Sequence, residues 1–390
     1  MKMKHWTING LLTLATILAF LLTAEIIARF VVAMPSPYPL GRSLLVWDQR
    51  GFWINEPNAT DIFDNRVDFQ NRKMTVDANG GRAVPCRSGK SPTARKLVLI
   101  GGSETFGWGL SDDETWPNRL QCRLNDAGID TAVYNIGVAG TNLDQYYFRI
   151  RHVAEALKPG DMVVFMVTWN DFHTEQTDNF PPLTPLSCNQ GEALPPIVDA
   201  IFPTCLSKPL RREQQSATWR RSLYDRTGLF VPTFGGLKSF ADSAPFSSAI
   251  AHILIPKIRM IYYAARENHT LKKVGSREFE SNGKIMNRIG EFFSAKDISL
   301  HFLFLPSKHS TDDPLYAVFS KNGSVFPEQD FLFHYAQPIC ERWRLSCASL
   351  FNALHNADVH KNSFVFDGHL NPHGANVLAE WLPKWLPLEN

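Results

Sequence analysis

Lys96-Leu-Val-Leu-Ile100, followed at once by Gly101-Gly-Ser103, is the stretch on which the reading of this chain turns. Four consecutive aliphatic residues, short and closed by glycines, have the pattern of a strand buried on both faces, as in a parallel sheet. The two glycines permit a tight turn. That turn places Ser103 at the C-terminal edge of the strand, where open α/β sheets take their ligands. The same texture recurs downstream. Residues 132–136 and 162–168 read as second and third strands, and Leu300-His-Phe-Leu-Phe-Leu305 as a fourth. Ala348-Ser-Leu-Phe351 reads as a fifth. Between them the spacing predicts helices from Ser111, where Ser111-Asp-Asp-Glu114 has the form of a capping box, to Leu124, and over 142–157, where Lys158-Pro-Gly-Asp161 breaks the pattern. Further helices are expected over 278–294, 330–345 and 375–385. Strand–helix alternation of this kind implies a parallel sheet covered on both faces, a three-layer α/β/α arrangement with right-handed crossovers.

Working outward from this core, residues 35–95 are rich in Pro, Asn, Asp and Arg with scattered aromatics, and are expected to form a stalk with short irregular strands. Residues 172–297 interrupt the alternation with Pro-rich loops and two expected helices, at 249–266 and 278–294. This is read as an insertion placed to cover a site. Residues 1–34 open with Lys2 and Lys4 and continue in an uncharged run from Trp6 to Ala24, closed by Glu25 and Arg29. That pattern predicts a membrane anchor, with the basic end in the cytoplasm and the rest of the chain on the extracytoplasmic, periplasmic side. A signal peptide cut near Val31-Val-Ala33 is the alternative.

Composition narrows the partners. The chain has 390 residues, enough for one enlarged domain, and a net charge of only +2. Its basic clusters, such as Arg211-Arg212 and Arg220-Arg221, are short and isolated, so nucleic acid is not an expected partner. Six cysteines, with no CxxC pair and no metal-type spacing to histidine, argue against zinc. No cofactor is implied. In an exported chain they permit up to three disulfides, and the pairs nearest in sequence are Cys340 with Cys347 and Cys188 with Cys205.

Four blocks carry chemistry, and each lies at a predicted strand end or beside the last helix. Gly101-Gly-Ser-Glu-Thr-Phe-Gly107 holds a serine in an exposed turn. Asn135-Ile-Gly-Val-Ala-Gly140 ends the second strand on a glycine whose bare backbone N–H can approach a substrate closely. Thr168-Trp-Asn-Asp171 ends the third with the amide of Asn170; Asp171 beside it reads as structural. Near the C-terminus, Phe366-Asp-Gly-His-Leu-Asn-Pro-His-Gly374 sets Asp367 and His369 just before a helix that Asn371 caps and Pro372 begins. A serine nucleophile needs these parts: oxyanion donors, a base, and an acid that orients the base.

In this order the blocks resemble the SGNH/GDSL hydrolase superfamily over residues 96–385, with the stalk and insertion unmatched. The resemblance implies a flavodoxin-like core, and makes Ser103 the nucleophile and first oxyanion donor. It further implies Gly140 and Asn170 as the other donors, Asp367 as the orienting acid and His369 as the base. The stretch 135–145 is also similar to membrane-anchored bacterial members. Two departures stand out. The usual Gly-Asp-Ser opening is Gly101-Gly102-Ser103, and one residue rather than two separates Asp367 from His369. His373 is therefore kept as an alternative base, although the N-terminal turn of a helix disfavours an imidazolium. Asp367, His369 and His373 lack a further ligand motif, so no metal is expected. The activity implied is ester hydrolysis through an acyl-enzyme, on an acylated carbohydrate or envelope substrate. O-acyl transfer to an extracytoplasmic polysaccharide is one alternative. A catalytically inactive glycan-binding or assembly module is the other.

Overall fold

In a computed structural model of the chain, the residues described are 2–31, 44–48, 52–89, 91, 94–172, 276–311, 329–355, 361–364 and 367–388. Five parallel strands form the central sheet: β5 (Arg95–Gly101), β6 (Thr131–Gly137), β7 (Met162–Val167), β8 (Ser299–Phe304) and β9 (Ser346–Ser349), in the order β6-β5-β7-β8-β9. The strand expected to begin the core, β5, lies between the second and third, so the winding direction reverses beside it. Ligands bind at such a reversal, outside the C-terminal ends of the strands.

Side chains of β5 alternate between two cores, which is why its sequence is apolar throughout. Val98 and Ile100 pack with Tyr146, Ile150, Ile285, Ile289 and Ile339 on one face of the sheet. Leu97 and Leu99 pack with Leu120, Leu124, Leu378 and Leu382 on the other. Helices Leu143–Val153, Ser276–Ser294 and Phe331–Arg342 therefore cover the first face, and Trp116–Asp126 with Pro372–Trp385 the second. The layering is that of a doubly covered sheet.

Boundaries shift by a few residues from the sequence reading, and one helix is reorganised. The capping box at Ser111 is real, but it closes a short 3-10 turn, Asp112–Glu114. Thr115 then caps a separate helix, Trp116–Asp126, by accepting the Asn118 N–H. Pro117 at the start of that helix, where its missing N–H costs nothing, fixes the restart.

Upstream of β5 the short strands expected after the stalk are present, and residues 32–43 lie outside the described residues. Antiparallel pairs β1 (Leu45–Asp48) with β2 (Phe52–Asn55), and β3 (Thr60–Phe63) with β4 (Arg72–Thr75), lie against the core. Phe63, Phe69 and Met74 are buried in the same cluster as Leu97 and Phe106. Arg82, wholly buried, pairs with Asp112 at 2.7 Å and donates to the Leu110 and Gly107 carbonyls, tying this region to the loop after Ser103. Its own burial lowers its pKa to about 10, so it stays cationic at neutral pH.

A helix does form at the N-terminus, Lys2–Val31. The expected membrane span is nonetheless not supported: among the described residues no helix is long and apolar enough to cross a membrane. The helix carries hydroxyl side chains at intervals. They include Thr13, Thr16 and Thr23, each returning its hydroxyl to the carbonyl four residues back. Disulfides join Cys340 to Cys347, as spacing suggested, and Cys86 to Cys122, which spacing did not. Cys188, Cys205 and the expected helix at 249–266 lie outside the described residues, as does the insertion over 173–275, whereas its second expected helix forms as Ser276–Ser294.

Gly137, the last residue of β6, shows how closely the serine's turn is packed. A Cβ there would strike the backbone of Thr105 and Phe106. Gly137→Ala is expected to destabilise the fold by about 1–3 kcal/mol, the usual range for overpacking. A denaturant midpoint unchanged from the parent chain would refute this packing.

Candidate active site

Ser103 opens a single helical turn, Ser103–Phe106, directly after β5. Gly102 precedes it at φ −87° and ψ −144°, and Gly107 ends it in the left-handed region, at φ +81°. A Cβ on Gly101 would collide with the Thr105 side chain, so the turn can be this tight only with glycine there. Asn135 of β6 fixes it from the side by donating to the Thr105 carbonyl at 2.8 Å.

Across 266 positions of sequence, the loop before the last helix meets this turn. His369 Nε2 lies 2.8 Å from Ser103 Oγ. Its Nδ1 bonds the Asp367 carboxylate. Gly368 has φ +90°, the left-handed region, which lets an acid and a histidine separated by one residue face each other. That geometry accommodates the shortened spacing noted in the sequence. His373 stands elsewhere: it is exposed in the first turn of Pro372–Trp385, with its backbone N–H on the Asn371 side chain.

The acid's loop is held from several directions, by residues that motif reading had not singled out. Asp68, from the region read as a stalk, accepts the Asp367 N–H at 2.7 Å. The Trp108 side chain hydrogen-bonds the Asp367 carboxylate, and its ring centroid lies 6.1 Å from that of His369. Glu104 accepts the Leu370 N–H at 3.1 Å, and Lys308 donates to the Phe364 carbonyl at 2.8 Å. Only Glu104 and Trp108, close to Ser103 in sequence, carried any signal of proximity to the serine.

The expected oxyanion donors flank the serine by topology. Gly140 follows β6 and Asn170 follows β7, the two strands paired with β5. Gly140 is exposed, at φ +73°, with no other atom within 4 Å of where its Cβ would be. Its loop is anchored by Val138 N–H to the Gly101 carbonyl at 3.0 Å. Asn170 lies in the 3-10 turn Trp169–Phe172, and its side chain is outside the described residues.

Beneath these loops runs a buried polar network. Arg149, fully buried, donates to the carbonyls of Ile136 and Gly101 and to Thr141 Oγ1, at 2.6, 3.2 and 3.1 Å. It thus joins the ends of β5 and β6 and the Gly140 loop. Asp171 accepts from Thr168 N, Thr168 Oγ1 and Tyr146 Oη, at 2.6, 3.0 and 2.8 Å. Burial pushes the Asp171 carboxyl up to about 7, against those hydrogen bonds. Burial likewise lowers Arg149 to about 10. Hydrogen bonds offset the cost of burying such groups, although Arg149 Nε has no partner among the described residues.

The electrostatics suit proton transfer. Burial disfavours a charged His369, but the negative charges of Asp367 and then Glu104 outweigh it and raise the imidazole to about 9. Burial acts on Asp367 in the opposite sense. The His369 charge and the hydrogen bonds from His369 and Trp108 outweigh it, holding Asp367 below its usual value. Only neutral imidazole can accept the serine proton, and its share falls tenfold for each pH unit below the pKa. The value of kcat/KM on an ester should therefore climb through neutral pH and level off near pH 9. A profile flat from pH 6 to 9 would contradict this placement of charge. Among the described residues no cluster of His, Cys, Asp and Glu could hold a metal ion.

No family model and no curated protein matches the chain. Solved structures similar to it include TesA, an acetyl xylan esterase and a lipolytic protein. TesA is 13% identical, with 76% of this chain and 100% of that chain covered at a TM-score of 0.39. An acetyl xylan esterase from Geobacillus stearothermophilus is 12% identical, covering 78% and 98% at 0.37. A lipolytic protein of the G-D-S-L family from Desulfitobacterium hafniense is also 12% identical, covering 75% and 99% at 0.35.

Proposed function

We propose that this chain is a serine esterase of the SGNH/GDSL type, acting through an acyl-enzyme. The observation that carries the proposal is the continuous hydrogen-bonded chain from Ser103 through His369 to Asp367. Ser103 Oγ attacks the ester carbonyl while His369 Nε2 takes its proton, and Asp367 holds the imidazole in the required tautomer. Backbone N–H groups of Ser103 and Gly140, with the Asn170 amide, receive the oxyanion. The imidazolium then gives its proton to the leaving alkoxide. Water attacks the acyl-serine with His369 again as base, releasing acid and free enzyme.

An acylated carbohydrate is the substrate class we infer, and two disulfides support an oxidising compartment such as the periplasm. Incubating the chain with acetylated oligosaccharides and following released acetate and product mass tests the reading. Free acetate, in step with loss of acetyl mass from the sugar, is expected. Acetyl appearing on a second sugar without free acetate would make it a transferase. Neither product, with chromogenic acetates also untouched, would make it a binding module.

A further inference from the structure

Ser103, His369 and Asp367 complete the chemistry of acyl transfer, and Glu104 takes no part in it. Yet Glu104 is built into the same place. It follows the nucleophile in the chain and bonds the N–H of the residue that follows the base, Glu104 Oε2 to Leu370 N at 3.1 Å. Its backbone carbonyl is held by the Trp116 indole N–H, also at 3.1 Å, so its main chain and its side chain are both fixed. Burial pushes its carboxyl above the usual range; the His369 charge and the Leu370 N–H oppose this, and Asp367 adds to it. Two carboxylates therefore act on one imidazole, Asp367 by a direct bond to Nδ1 and Glu104 through its charge and its hold on the next residue's N–H.

We propose that Glu104 is a positioning residue for the base: it locks the His369 loop onto the nucleophile's own turn and supplies a second negative charge that stabilises the imidazolium. The consequence for rate rests on the esterase reading; the bond and the charge do not. When Oγ bonds the acyl carbon and its proton moves to Nε2, the charges of Asp367 and Glu104 both favour the new cation until the proton passes to the departing alkoxide. The cost falls on the resting enzyme, where the same charges keep more of the base protonated at neutral pH. Other charged groups near this loop hold its backbone: Asp68 the Asp367 N–H, Lys308 the Phe364 carbonyl, Arg119 the Pro372 carbonyl. Asp367 and Glu104 are the two whose charges raise the imidazole's proton affinity.

Glu104→Gln keeps an acceptor for the Leu370 N–H and removes the charge, and Glu104→Ala removes both. In the full chain, the His369 ring resonance, assigned with His369→Ala, is titrated by NMR alongside the pH profile of kcat/KM on a chromogenic acetate. Both variants are expected to lower the His369 midpoint by about one pH unit, the lower end of what a neighbouring charge does. The acidic limb of kcat/KM should move with it, and Glu104→Ala should in addition lose several-fold in the plateau. A midpoint unmoved in both folded variants overturns the proposal. If the parent chain cleaves no ester, the esterase reading falls while the NMR midpoint still decides the role of Glu104.

Discussion

Replacing Ser103 by alanine is expected to lower kcat on a chromogenic acetate by about 10⁴–10⁶-fold, the usual scale for a missing nucleophile. The melting temperature should stay within about 2 °C, since among the described residues the Ser103 side chain bonds only His369 Nε2. His369→Ala should cost about as much, because nucleophile and base act as a unit and losing either leaves only binding and oxyanion donors. His373→Ala should lie within about twofold of the parent chain, its imidazole being exposed on the neighbouring helix turn. A large loss in His373→Ala with a small one in His369→Ala would reverse the assignment of the base.

Asp367→Asn should reduce kcat by about 10⁴-fold, since an amide at this position favours the tautomer that points a proton, rather than a lone pair, at the serine. The substitution keeps size and leaves the Asp367 N–H on Asp68, so the loop should hold its shape. Loss of the negative charge also lowers the proton affinity of His369, which Asp367 raises more than Glu104 does. The residual activity should therefore reach its plateau at a lower pH than in the parent chain. A decrease below tenfold, or an unchanged pH profile, would show that Asp367 does not orient the base.

The parallel core was legible because burial on both faces leaves a mark in a single segment: Leu97 to Ile100 cannot be read as an amphipathic helix. So was the loop before the last helix, where Asn371 caps by accepting the His373 and Gly374 N–H groups and Pro372 follows. What the sequence hid depends on contacts between distant segments. Nothing local marks Asp68 as the partner of a residue 299 positions away, or Cys86 as the partner of Cys122. The short strands upstream of β5 were legible for their turns, but not their burial, which comes from Phe63, Phe69 and Met74 meeting a core assembled elsewhere. The capping box at Ser111 starts only a 3-10 turn, and the competing cap at Thr115 moved the start of the α-helix four residues on. The short Asp367–His369 spacing looked like a departure because the left-handed conformation of Gly368 is invisible in a one-dimensional pattern.

The central claim is that Ser103 is an activated nucleophile. Its most direct measurement is intact-mass and peptide-mapping analysis of the full chain after treatment with a fluorophosphonate. The account predicts a single phosphonyl adduct on Ser103, forming faster as pH rises toward 9, and absent in Ser103→Ala and His369→Ala. An adduct on another residue, or none on folded protein at pH 9, would contradict it.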